Sequence, residues 1–180
     1  MFTVNKKLHY LLLMFFFTVI SGVNAQSSSD YRLGAGDTIR ITVFGQQDLS
    51  IESILNDKGT IDYPFLGQVQ AAGKTAAEFQ NLIHVGLKGD YLINPTVSVS
   101  IIEYRPFFID GEVEKPGAYP FQPGLTISKA SALAGGYTER ASLSKIFIIR
   151  SNDPQQKSVN VDSNALLQPG DIVTVKQSYF

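Results

Sequence analysis

"GEVEKPGAYPFQPGLTISKASALAGG" (Gly111–Gly136) holds two Pro-Gly pairs, a short aromatic strand, an Ala-rich helical stretch and a double-glycine stop. Pro116-Gly117 fits positions i+1 and i+2 of a type II turn, because proline presets φ and glycine accepts positive φ. "AYPF" then returns the chain, and Pro123-Gly124 turns it again. Thr126 is placed to N-cap a helix over "ISKASALA", which Gly135-Gly136 ends by a glycine C-cap. The order of strand, return strand, helix and stop predicts a helix packed across a small sheet.

The flanks extend this unit. "FFIDGEV" (Phe107–Val113) reads as a strand ahead of it, and "SKIFIIR" (Ser144–Arg150) as a buried strand after it. A polar loop, "SNDPQQKS", leads to a last turn and strand in "LLQPGDIVTVKQ" (Leu166–Gln177).

A second unit precedes the first. In "LGAGDTIRITVFG" (Leu33–Gly45) a Gly-Asp turn leads to Ile39, Ile41 and Val43 alternating with Arg40 and Thr42, the period of a half-buried strand. "ILNDKGTIDYPFLGQV" (Ile54–Val69) predicts two short strands about an Asn-Asp-Lys-Gly hairpin turn. In "KTAAEFQNLIHVGLKG" (Lys74–Gly89), Thr75 and Glu78 form a capping box, Phe79, Leu82, Ile83 and Leu87 share one helical face, and Gly89 can end the helix. "PTVSVSII" (Pro95–Ile102) alternates again. "LGAGDTIRITV" and "LQPGDIVTVK" both open with Leu-x-x-Gly-Asp and continue as alternating β residues. Two related small units follow, an α+β fold with two mixed sheets.

The chain has 180 residues, 44% hydrophobic and 17% charged, with net charge -1 and no cysteine or tryptophan. Disulfides, thiol nucleophiles and Cys-based metal sites are excluded. No basic run supports a nucleic-acid partner.

The N-terminus reads as a leader. Lys6 and Lys7 precede an apolar run, "LHYLLLMFFFTVI" (Leu8–Ile20), too short to span a bilayer comfortably. "VNA" (Val23–Ala25) places small residues at a signal-peptidase site, so residues 1–25 are expected to be cleaved. An uncleaved membrane anchor fits the short run less well. "ISGV" (Ile20–Val23) has the shape of a lipobox with valine in the cysteine position, so no lipid anchor is expected.

Chemistry is sparse. After such cleavage His84 is the sole histidine, off the apolar helical stripe, and it reads as a surface residue rather than a base or ligand. No metal-ligand spacing is present, and "PGLTISK" lacks the spacing of a phosphate loop. Asp110, Glu112 and Glu114 would share one strand face. Two carboxylates suffice for glycoside cleavage, but a solvated strand face is the better reading. Neither an enzyme nor a cofactor is expected.

In order, "YRLGAGDTIRITVFGQQDLS", "DKGTIDYPFLGQV" and "PTVSVSI" resemble the N-terminal domain of bacterial outer-membrane polysaccharide export proteins. "GEVEKPGAYPFQPGLTISKASALAGGYTERASLSKIFIIR" resembles the soluble-ligand-binding β-grasp (SLBB) module that follows it in that family. The resemblance divides the chain into an export domain over 30–104 and a β-grasp domain over 105–180. It places Gly36, Asp37, Gly59, Gly67, Gly111, Pro116, Gly117, Gly135 and Gly136 at family positions with backbone roles.

The resemblance implies a periplasmic ring subunit that passes capsule or exopolysaccharide outward with an inner-membrane copolymerase. Tyr104, Arg105, Tyr119, Tyr137 and Arg140 are the candidate polymer contacts. Longer relatives carry an acylated cysteine, further modules and a pore-forming C-terminal helix. The expectation is therefore a short periplasmic member that does not conduct alone and uses a separate outer-membrane β-barrel. A free periplasmic oligosaccharide-binding protein and a carbohydrate-cleaving enzyme are the competing readings.

Overall fold

The computed structural model describes residues 31–178, so the leader expected over 1–25 lies outside it. Strand β1 (Thr38–Val43) is the centre of a three-stranded antiparallel sheet, flanked by β2 (Ile51–Ile54) and β5 (Val97–Glu103). Its alternation works as expected: Ile39, Ile41 and Val43 are buried, while Arg40 faces out and pairs with Glu52 at 2.8 Å. Helix α1 (Ala76–Leu87) buries Phe79, Ile83 and Leu87 in the same core, with Leu82 at its margin. Its capping box is formed. Thr75 Oγ1 accepts from Glu78 N at 3.1 Å, and the Glu78 carboxylate accepts from Thr75 N at 2.9 Å.

The Asn56–Gly59 segment differs from its reading as a hairpin turn. Asn56 Oδ1 accepts from the Lys58 and Thr60 amides, both at 3.0 Å, and closes a corner. The strands on either side do not pair with each other. Strand β2 is taken by β1, and β3 (Thr60–Tyr63) pairs instead with β4 (Gly67–Gln70). The hairpin therefore forms one turn later, about residues 64–66.

The second core belongs to a five-stranded sheet in the order β7-β6-β10-β8-β9. It contains β6 (Phe107–Gly111), β7 (Gly117–Tyr119), β8 (Ala141–Ile149), β9 (Ser158–Val161) and β10 (Ile172–Gln177). The last strand inserts between the first and third of these, parallel to β6 and antiparallel to β8. Helix α2 (Ile127–Leu133) is capped by Thr126, whose hydroxyl accepts from Lys129 N at 3.3 Å. It buries Ile127 and Ala130 with Phe107, Ile109, Ile146, Ile148, Val173 and Val175. A central parallel pair with one helix packed with it is the β-grasp arrangement. Strand β8 is half-buried rather than buried throughout, with Ile146 and Ile148 inward and their neighbours partly exposed. The described residues hold two α-helices, two antiparallel sheets in the first unit, where a mixed sheet was expected, and one mixed sheet in the second, so the fold class is α+β.

Gly117 does not have positive φ; it opens β7 opposite Ile109, so Pro116-Gly117 is no type II turn. The reversal from β6 to β7 is instead spread over residues 112–116. The other Pro-Gly pair makes the expected turn: Gly124 has φ 79°, and Leu125 N donates to Gln122 O at 3.1 Å. Strand β6 also ends two residues early. Gly111 has φ 81°, and a Cβ there would run into the Val175 carbonyl oxygen. The chain bends at that point, which removes the common face expected for Asp110, Glu112 and Glu114. The Glu112 carboxylate instead accepts from Thr138 Oγ1 at 2.6 Å.

Candidate functional site

The repeated Leu-x-x-Gly-Asp stretches fold into matching turns. Asp37 N donates to Gly34 O at 3.1 Å, and Asp171 N donates to Gln168 O at 3.2 Å. The leucines, Leu33 and Leu167, are buried in their respective cores. Each aspartate folds back, its Oδ2 accepting from the amide three residues earlier: Gly34 N at 2.7 Å and Gln168 N at 2.7 Å.

Both aspartates are completely buried. A buried carboxylate persists only where donors and a cation replace its water. Asp171 Oδ2 pairs with Arg150 Nη1 at 2.7 Å, and its Oδ1 accepts from Ser151 N at 3.1 Å. Asp37 Oδ2 accepts from Tyr31 Oη at 2.6 Å and Arg105 Nη1 at 3.3 Å, while its Oδ1 accepts from Arg105 N at 2.8 Å. Burial, then the hydrogen bond to Asp37 and its charge, push the Tyr31 phenol far above its ordinary range, with Arg105 opposing.

Arg105 also reaches the second turn. Its Nη2 donates to Ser151 Oγ at 3.3 Å, and Ser151 Oγ donates in turn to Pro169 O at 2.8 Å. Gly170 N donates to Pro106 O at 3.1 Å, and a Cβ on Gly170 would stand 2.8 Å from Arg105 Nε. Aromatic contacts run alongside. Tyr104 meets Tyr31 edge-on at 4.9 Å and Phe121 edge-on at 5.5 Å, and the Arg105 guanidinium carbon lies 5.8 Å from the Tyr31 ring centre. The two echoing turns thus face each other across one arginine, and the joint between the two cores is built there.

Of the five candidate polymer contacts, Tyr104 and Arg105 lie together in this joint. The other three lie in the second unit. Tyr119 stacks on Phe107 at 6.0 Å and donates to Lys115 O at 2.6 Å. Tyr137 bridges Val113 through its backbone, and its buried hydroxyl has no hydrogen-bond partner among the described residues. Arg140 is exposed, and its carbonyl accepts from Ser178 N at 2.7 Å. Tyr31, Phe121, Arg150, Ser151 and Asp171 were not singled out from sequence. The doubled Leu-x-x-Gly-Asp was the signal that could have found the two carboxylates.

The polar groups of the joint satisfy one another and tie the two echoing turns together. Among the described residues no three His, Asp or Glu side chains are grouped to hold a metal ion, and no helix is long and apolar enough to cross a membrane. His84 Nδ1 lies 2.9 Å from Pro95 O, committed to a local contact.

Residues 25–102 match the family described as polysaccharide biosynthesis/export protein, and residues 106–159 match the SLBB domain. The joint residues Tyr104 and Arg105 fall between the two matched segments. The chain is 34% identical to the exopolysaccharide production protein ExoF of Rhizobium meliloti (strain 1021), over 64% of this chain and 30% of that protein. It is 29% identical to the EPS I polysaccharide export outer membrane protein EpsA of Ralstonia nicotianae, over 83% of this chain and 48% of that protein. It is 28% identical to the polysialic acid transport protein KpsD of Escherichia coli, over 73% of this chain and 24% of that protein. The chain thus matches a quarter to a half of the length of these curated relatives. With a polysaccharide biosynthesis/export domain followed by an SLBB domain, it belongs to the polysaccharide export protein family.

Proposed function

We propose that this protein is a non-catalytic subunit of a conduit that carries exopolysaccharide or capsular polysaccharide through the periplasm towards the outer membrane. One observation carries the reading: an export domain and an SLBB domain occur in that order, as the family matches run. Relatives named for polysaccharide export and transport support it. The subunit would enter the periplasm by cleavage after Ala25 and assemble as a ring of copies. It would work with an inner-membrane copolymerase and a separate outer-membrane β-barrel. In this reading Tyr104 and Arg105 act through the joint, by fixing how the two units are presented. Tyr119, Tyr137 and Arg140 remain candidates for polymer contact, and Arg140 is the most open of them.

The test is deletion and complementation in the host. Loss of secreted polymer, restored by the wild-type gene, is the expected result. Undiminished secretion in the deletion strain would overturn the proposal. An unchanged supply of lipid-linked repeat units in that strain separates an export defect from a synthetic one.

A further inference from the structure

The β3–β4 hairpin ends in an aromatic tip that the joint does not use. Phe65 is 65% exposed, and its ring stacks on Tyr91, itself 45% exposed, at 5.0 Å and 28°. Tyr91 Oη donates to Phe65 O at 3.2 Å, which ties the loop after α1 to the hairpin. Leu66 anchors the tip from beneath: a Cβ on Gly86 of α1 would stand 2.8 Å from Leu66 Cδ1, so glycine leaves the space that Leu66 uses. Phe65 has φ 65°, a left-handed backbone that strains phenylalanine and suits glycine. An exposed ring is thus held out on a strained backbone, against both burial and conformational preference. Such strain, where the surroundings enforce it, points to a use.

We propose that the Phe65–Tyr91 pair is a stacking platform for the sugar rings of a glycan, deepening the export reading on which it rests. The electropositive C–H face of a pyranose fits the negative face of an aromatic ring, and apolar contact adds to it. The flanks suit a sugar as well. Asp62 and Gln68 stand directly opposite each other on the same hairpin, both exposed, and carboxylate and amide groups pair with neighbouring hydroxyls. Asp62, together with Asp90 next to Tyr91, opposes an anionic lipid surface as the occupant. Because Tyr91 already spends its hydroxyl proton within the tip, the platform offers ring faces and shape. Weak contacts that tolerate a moving chain follow from that.

An NMR titration of the purified protein with labelled aromatic side chains tests this. The probes are cellohexaose and hexasaccharides cut from the polymer that the host secretes. Fast-exchange shifts at the Phe65 and Tyr91 rings are expected, and the affinity read from the Tyr91 ring should fall by at least about tenfold in Phe65→Gly. Phe65→Gly suits the positive φ, so its melting temperature should hold or rise, and lost binding cannot be ascribed to unfolding. Shifts confined to other residues would overturn the platform while leaving the export reading intact. Silence with both probes also overturns it, and the deletion strain judges export separately. A sedimentation coefficient that falls in Phe65→Gly would make a second copy the occupant. Flotation with phosphatidylethanolamine–phosphatidylglycerol vesicles that is lost in the variant would make it a bilayer. Either result sinks the proposal.

Discussion

Asp37 carries no accessible surface, yet it joins Tyr31, Gly34 and Arg105. Replacing it by asparagine puts an NH2 against donors and leaves Arg105 without its counter-charge. Unpairing a buried ion pair costs about 3–5 kcal/mol, so Asp37→Asn should destabilise by roughly 3 kcal/mol in urea unfolding. The Arg40–Glu52 pair has the shorter distance, 2.8 Å, but its side chains are about half exposed. Glu52→Gln should cost less than about 1 kcal/mol, because solvent screens that pair. Burial, not separation, ranks the two.

Tyr63 sets an alkaline limit. Burial pushes its phenol up to about 12, and its hydroxyl donates to Leu49 O at 2.7 Å. Above pH about 10 the unfolded chain loses this proton while the folded chain keeps it. The stabilisation is therefore complete below about 10 and is lost as pH rises towards 12. Wild-type melting temperature should fall across that window. Tyr63→Phe should start lower, for want of the hydrogen bond, and lose less over the same interval.

At the scale of elements, the two Pro-Gly pairs make opposite demands. Gly124 sits at φ 79° in a closed turn, whereas Gly117 is an ordinary strand residue at which a Cβ would meet only Tyr119 Cε2, in ordinary contact at 3.9 Å. Gly124→Val should cost about 1–3 kcal/mol, and Gly117→Val should stay within about 0.5 kcal/mol. Thermal melts of both variants check this, and equal losses would remove the distinction. The helices were legible because their signals are local: Thr75 and Glu78 cap α1, Thr126 caps α2, and apolar spacing marks the inner face of α1. The Asn56–Gly59 corner was misread because a turn signal does not say which strands will pair. That depends on β1, which takes β2 as its neighbour.

For the molecule as a whole, Arg105 is the part shared between the cores. Its backbone and Nη1 serve Asp37, and its Nη2 serves Ser151. Arg105→Ala should leave both hydrophobic clusters in place but weaken their coupling. Calorimetry should then resolve two unfolding transitions where the wild type shows one, with the first core melting earlier because Asp37 has lost its partner. A single transition in the variant would mean that the Arg105 N–Asp37 Oδ1 bond, which alanine keeps, and the Tyr104 ring contacts couple the cores without the guanidinium.

Local chemistry in the chain was enough to determine the strand alternation of β1, both helix starts, the Pro123-Gly124 turn and the α+β class. The first three depend on residues within one turn or one strand of each other, and the class on the order in which such local elements follow. The echo of Leu-x-x-Gly-Asp was also visible, though only as a pattern. Tertiary structure alone decided what that echo does. Asp37 and Arg105 lie 68 positions apart, and Arg105 and Ser151 lie 46 apart. No periodicity reaches over such separations. Sequence alone offered Arg105 as a candidate polymer contact, and only the fold set a fully buried carboxylate against it. Phe65 beside Tyr91, 26 positions away, became a platform for the same reason: chain closure put the two rings face to face.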